Sequence, residues 1–240
     1  MALWHIENAG PEALILRFGE RMDPQLLPVI RAATERLAAL KEPAPGGDKP
    51  PAIRDLVPSY STLLVCYDPV LNDFRSLSGQ IRQCLRGLEQ DLSDNRGGGR
   101  LVEIPVWYHP QVGPDLERVA RHHGLSVEEV IRRHSQRDYP VYAIGFAPGF
   151  AYLGNLDPTL ATPRLDSPRQ TVPAGSVALA EQQTAVYPIA TPGGWNLLGR
   201  TPMTLFDPDL EGLCPLSPGD TVRFVPISRE QFLKAGGVEE

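Results

Sequence analysis

Residues 145–202 read GFAPGFAYLGNLDPTLATPRLDSPRQTVPAGSVALAEQQTAVYPIATPGGWNLLGRTP, and this stretch decides the fold of the C-terminal half. Between Pro140 and Pro226 there are 13 prolines and 9 glycines. Proline lacks the amide a helix needs and glycine weakens a helix interior, so no helix of ordinary length can run through most of this region. It must be built from short strands and ordered loops. YAIGF (142–146), SVALA (176–180), TAVYPIA (184–190), MTLF (203–206) and TVRFVP (221–226) are the candidate strands. Their number and spacing predict a closed or nearly closed β barrel.

Working outward, residues 13–18 (ALILRF) have the character of a buried strand, and Asp23-Pro24 opens a helix with apolar residues at Leu26, Leu27, Ile30, Ala33, Leu37 and Leu40. The Pro/Gly-rich residues 43–51 form a loop. Residues 52–57 and 63–67 then read as a hairpin turning at Pro58-Ser59. Residues 72–92 carry helical spacing at Phe74, Leu77, Ile81, Cys84, Leu85 and Leu88, with Asn72 as the cap, and residues 101–107 return as a strand. The order β-α-β-β-α-β matches the split βαβ, ferredoxin-like plan. Two short helices follow over 115–122 and 126–134, joined by Gly124, with Ser126 and Glu129 placed as a capping box. The predicted class is α+β, with a ferredoxin-like domain over 1–106 and a barrel domain over 107–240 that carries the helical pair at 115–136.

At 240 residues the chain has room for two modest cores, and 42% apolar with 22% charged residues is ordinary for a soluble globular protein. The net charge of −6 offers no field to attract nucleic acid or an anionic membrane, so neither is an expected partner. The helical pair has the outline of a helix-turn-helix, but Glu117, Glu128 and Glu129 dilute its arginines. Cys66, Cys84 and Cys214 are odd in number and widely separated, which reads as reduced thiols in a cytoplasmic protein. The N-terminus has no secretory pattern, and no stretch approaches the apolar length of a membrane span. His109, His122, His123 and His134 show no metal-ligand spacing and are expected as solvated or capping residues, with no metal site. A P-loop, a GxGxxG fingerprint and a biotinyl-lysine context are all missing, so the chain alone is expected to bind no ATP.

The elements GFAPGFAYLG, Pro163-Arg164, Pro168-Arg169, VPAGSVA, Gln183-Thr184, Tyr187-Pro188 and PGGWNLLGRTP resemble the family of the bacterial 5-oxoprolinase B subunit. The same family is known as the sporulation kinase inhibitor KipI and is related to allophanate hydrolase subunit 1, a carboxyltransferase domain. The likeness is weaker over 104–134 and weakest over the first hundred residues. It departs from the pattern at Tyr108-His109-Pro110-Gln111, at Asn155 and at Ala180-Glu181-Gln182, where the family favours glycine.

The resemblance implies a small α/β domain followed by a cyclophilin-like β barrel, in one chain of ATP-dependent 5-oxoprolinase, which opens the lactam of 5-oxo-L-proline to L-glutamate. The chain would be inactive alone. Its implied partners are a second carboxyltransferase-like chain, the C-type component of 5-oxoprolinase, and a separate chain of the A type, with ATP used by the assembled complex. A carboxyltransferase half-subunit of a urea or allophanate system and an inhibitor of a histidine kinase are the alternatives.

Candidate binding residues come from the same stretch. Arg164, Arg169 and Arg200 are few among so many prolines, and a guanidinium fork suits a carboxylate or phosphate. The competing reading pairs each with a nearby Asp or loop carbonyl. Gly193-Gly194 lets backbone approach a ligand beside the flat ring of Trp195, or else forms a tight turn that Trp195 closes. Gly175-Ser176 and Gln183-Thr184 offer amide and hydroxyl donors that could hold a polarised carbonyl, and Tyr187 is a further candidate binding residue. Ser176 has no partnered base, so no catalytic residue is identified.

Overall fold

Residues 13–17 alternate half-buried and buried, which sends Leu14 and Leu16 to one face of a sheet at zero exposure. The computed structural model describes residues 4–42, 51–88, 99–209 and 214–239. The chain divides into two compact units, Met1–Gly98 and Gly99–Glu240. The predicted loop at 43–50 and the end of the second helix at 89–92 lie outside the described residues.

The first unit contains β1 (His5–Asn8), β2 (Ala13–Arg17), α1 (Leu27–Ala38), β3 (Asp55–Ser59), β4 (Thr62–Cys66) and α2 (Phe74–Cys84). Its strands lie in the order β1-β2-β4-β3, all neighbours antiparallel. Leu14, Leu16, Leu63 and Val65 from the sheet share a core with Ile30, Ala33 and Leu37 of α1 and Leu77 and Ile81 of α2. Pro58 and Ser59, expected in the hairpin turn, belong to β3, and Ser59 pairs with Thr62. Asp73 caps α2 by accepting from the Ser76 amide at 2.8 Å, in place of the expected Asn72.

The sequence pattern assigns residues 101–107 to this sheet, and the structure does not. β5 (Leu101–Val106) instead runs parallel to β13 (Thr221–Pro226) in the second unit, so the boundary lies before that strand rather than after it. Within the first unit the strand beside β2 on the side away from β4 is β1, which the apolar pattern does not announce.

The second unit adds α3 (Leu116–His123), α4 (Val127–Ser135), β6 (Asp138–Ile144), β7 (Ala151–Leu153), β8 (Arg169–Val172), β9 (Ser176–Ala180), β10 (Gln183–Val186), β11 (Thr191–Gly193), β12 (Asn196–Arg200) and α5 (Arg229–Lys234). Following the ladders, β5 pairs with β13, and the path continues through β6, β7, β10 and β9 to β12. Trp107, directly after β5, bridges Arg200 at the end of β12 and closes the circuit. β8 and β11 form a separate two-stranded ribbon. MTLF forms no strand and has no ladder partners, although Leu205 is buried.

Gly124 ends α3 in the left-handed region at φ 63°, and Ser126 caps α4. The expected capping box is only half made, because the Glu129 carboxylate turns to Arg132 and Arg133 instead. α3 and α4 bury Leu116, Val119, Ala120 and Val130 in the larger core of this unit.

Candidate binding pocket

β9 and β12 are buried at every residue, because both faces of the sheet are covered. Val177, Leu179 and Val186 join the core that holds Val130, Tyr139 and Phe224, whereas Ala178, Ala180, Ala185 and Tyr187 pack with Phe150, Trp195 and Leu197. The β9–β10 hairpin is thus a wall between two different interiors.

On the Tyr187 side lies a cavity of about 260 Å³. Phe146, Phe150, Tyr152, Tyr187 and Trp195 line it, together with Arg164, Gly193, Gly194 and two prolines, Pro168 and Pro192. Phe150 organises the rings edge to face, 5.3 Å from Tyr187 at 78° and 5.8 Å from Trp195 at 85°. Gly193 has a steric reason, since a Cβ there would lie 2.3 Å from the Tyr187 hydroxyl. Burial pushes the Tyr187 phenol up, so it stays protonated and able to donate.

Phe146 stands apart. It is 64% exposed beside this aromatic cluster and holds φ at 71°, a conformation that costs a non-glycine residue about 1–2 kcal/mol. The following turn cannot relax easily, because Gly149 (φ 78°) passes so close to Leu205 that a Cβ would meet its carbonyl oxygen at 2.6 Å.

The predicted arginines separate sharply. Arg164 is exposed, with its guanidinium carbon 5.9 Å from the centre of the Trp195 ring. Among the described residues no carboxylate lies within ion-pair distance of it, and none of the residues lining the cavity is acidic. Arg169, opposite Gly193 in the β8–β11 ribbon, donates from Nη2 to the buried Asp115 at 2.9 Å. The other oxygen of Asp115 accepts from the Leu197 amide at 2.8 Å, so this pair ties the start of α3 to β8 and β12. Arg200 is buried and donates to the Val238 carbonyl at 2.9 Å, away from the cavity.

The remaining candidates are not pocket residues. Ser176 is completely buried, with its carbonyl accepting from the Tyr187 amide. Gln183 begins β10 outside the cavity lining. Thr184 cannot serve as a donor to a substrate carbonyl, because its hydroxyl donates to the Ala178 carbonyl at 2.8 Å.

Thr184 is instead one link of a buried polar chain. Since its proton is committed to Ala178, it accepts from His134 Nε2 at 2.8 Å, which leaves His134 Nδ1 to accept from the Tyr108 hydroxyl at 2.7 Å. His134, expected as a solvated or capping residue, has zero exposure and stacks on Phe224 at 4.6 Å. Burial lowers its pKa to about 3, so the ring is neutral at physiological pH.

Sequence reasoning missed Phe146, Phe150 and Tyr152 as pocket residues. Their signal was the motif GFAPGFAYLG, which sets three aromatics among glycines and a proline within ten residues.

With this geometry in hand, comparison with known proteins places the chain among relatives. Residues 4–216 match the family model described as carboxyltransferase domain, subdomain C and D. The chain is 40% identical over 239 residues to the 5-oxoprolinase B subunit of Bacillus subtilis (strain 168), covering 95% of each. Among solved structures it is similar to TTHA0988, with 39% identity and a TM-score of 0.75 over 90% of this chain, which spans 40% of that longer protein. It also resembles the Kluyveromyces lactis urea carboxylase at a TM-score of 0.68 over 96% of this chain and 22% of that one. Identity there is 17%, so the likeness speaks for the fold alone.

Proposed function

The chain belongs to the carboxyltransferase domain family, subdomain C and D, and on that premise we propose that it is the B subunit of a 5-oxoprolinase. The observation that carries this reading is the 40% identity spread over 95% of both chains. The chain works within a multi-chain hydrolase that converts 5-oxo-L-proline to L-glutamate.

A lactam carbonyl resists attack by water, so ATP would serve the assembled complex by making the carbonyl oxygen a leaving group. The aromatic cavity, at about 260 Å³, falls below the roughly 300–1,000 Å³ of pockets that hold drug-sized ligands. We assign ATP and the catalytic groups to the partners, a C-type and an A-type component of 5-oxoprolinase. The closed circuit of strands in the second unit fits a cyclophilin-like barrel, and the three free thiols suit the cytoplasm.

Reconstitution tests the proposal. The chain is mixed with both partner chains, and phosphate release is followed with and without 5-oxoproline, omitting each chain in turn. Activity is expected only from the full set. Turnover by this chain alone at about 1 per second or faster, or full activity without it, would reject the assignment.

A further inference from the structure

The aromatic cavity has four properties that together restrict its occupant. At about 260 Å³ it falls below the roughly 300–1,000 Å³ of pockets that hold drug-sized ligands, so it suits a molecule of about ten heavy atoms. Its walls are rings set edge to face around Phe150, a surface for a compact, weakly polar ring rather than a flexible chain. Its charge is single and positive, the exposed Arg164 with no carboxylate partner among the described residues. The Tyr187 hydroxyl reaches it beside backbone held close by Gly193.

From these observations we infer that the cavity is the seat of 5-oxoproline itself, with the five-membered ring between Trp195, Tyr187 and Phe150 and the carboxylate held by Arg164. The inference rests on the 5-oxoprolinase reading above. It adds that this chain supplies the substrate seat while its partners supply the chemistry. A guanidinium can take a carboxylate through two parallel hydrogen bonds, and Trp195 holds it at the rim by its ring face. The roughly nine non-hydrogen atoms of 5-oxoproline fit the volume, and a ligand that small is expected to bind this chain with about millimolar strength. Phe146, exposed and held in a strained conformation, lines the same cavity.

Isothermal titration of the full chain with 5-oxo-L-proline, its uncharged carboxamide and inorganic phosphate tests the seat. Saturable binding of 5-oxoproline is expected, weakened at least about tenfold in the carboxamide and in the Arg164→Gln variant, whose melting temperature should match the parent. No saturable binding, equal binding by Arg164→Gln, or phosphate binding as tightly as 5-oxoproline would each overturn the seat. Membership of the 5-oxoprolinase complex is judged separately by reconstitution. Activity that depends on this chain, with Arg164→Lys at full catalytic efficiency, would sink the seat and leave that membership standing.

Discussion

The two faces of the β9–β10 hairpin treat polar groups in opposite ways. On one face Tyr108, His134, Thr184 and the Ala178 carbonyl close a chain in which each donor has an acceptor, entirely out of solvent. On the other face Arg164 stands exposed over Trp195 with no carboxylate to neutralise it among the described residues. A closed network stabilises a fold, and an open cation over aromatic rings adds little to it. The difference teaches where to look for each kind of effect: stability on the His134 side, binding on the Arg164 side.

The largest effect should come from protonating the closed network. In the unfolded chain His134 titrates near 6.5, and in the fold burial lowers it to about 3. Above pH 6.5 both states are neutral and the network is intact. Between 6.5 and about 3 the unfolded state takes up a proton that the folded state refuses, so stability falls as pH drops, by about 1.4 kcal/mol per pH unit from this group. Urea unfolding at pH 7, 5.5 and 4, in the parent and in His134→Gln, isolates that slope, which amounts to about 3.5 kcal/mol at the lowest pH. Equal slopes would mean that the buried ring is accessible to protons, and the contrast between the faces would fail.

Removing Asp115 should cost nearly as much. Asp115→Ala strands the Arg169 guanidinium and the Leu197 amide together, which we expect to cost about 3 kcal/mol in denaturant unfolding at neutral pH. A loss under about 1 kcal/mol would indicate that solvent replaces the pair and that Arg169 is available to a ligand after all.

Much of this arrangement could be read from the chain, and the failures have physical causes. The helices α1, α2, α3 and α4 announce themselves by periodicity because each buries only one face. SVALA is legible as a strand, but its uniform apolar character conceals that alternate residues enter different interiors. Residues 101–106 are recognisable as a strand yet point to the wrong sheet, since their parallel partner lies 120 residues on, at Thr221–Pro226, and local pattern carries no information about it. β12 is not among the strands the pattern announces, and its Gly199 is small so that the Trp107 backbone can approach, with 2.5 Å from a would-be Cβ to that carbonyl oxygen. In the site, Arg164, Tyr187, Gly193, Gly194 and Trp195 are selected by residue type and do meet in one cavity. Arg200, Ser176 and Thr184 have the same chemical credentials, and their places away from the cavity, with Thr184 committed to the Ala178 carbonyl and Arg200 donating to the Val238 carbonyl, remove them.

Within the closed network a smaller change should be felt at one link. Thr184→Val keeps the shape but leaves His134 Nε2 without its acceptor and the Ala178 carbonyl without the threonine proton. An unmet buried polar group is worth roughly 1–3 kcal/mol, so we expect a loss of about 2 kcal/mol with no effect on 5-oxoproline binding. A change in ligand affinity at unchanged stability would reverse the roles assigned to the two faces.

The smallest expected effect on stability separates two arginines only five residues apart. Both carry the same charge, and lysine preserves it, so substitution by lysine removes only the planar fork. Arg169 makes a single hydrogen bond from Nη2 to Asp115, whose side chain is 8% exposed, and a shorter lysine must leave that oxygen less well met, so Arg169→Lys should lose about 1 kcal/mol. Arg164 makes one ring contact at 5.9 Å from an exposed position, an interaction a lysine can partly reproduce, so Arg164→Lys should stay within about 0.5 kcal/mol of the parent in the same melt. The order of the two variants is the decisive quantity, because it is independent of any partner chain. If Arg164→Lys were the more destabilising, its guanidinium would have to be anchoring the loop over Trp195, and the open cation on this face would become a structural clamp like its neighbour.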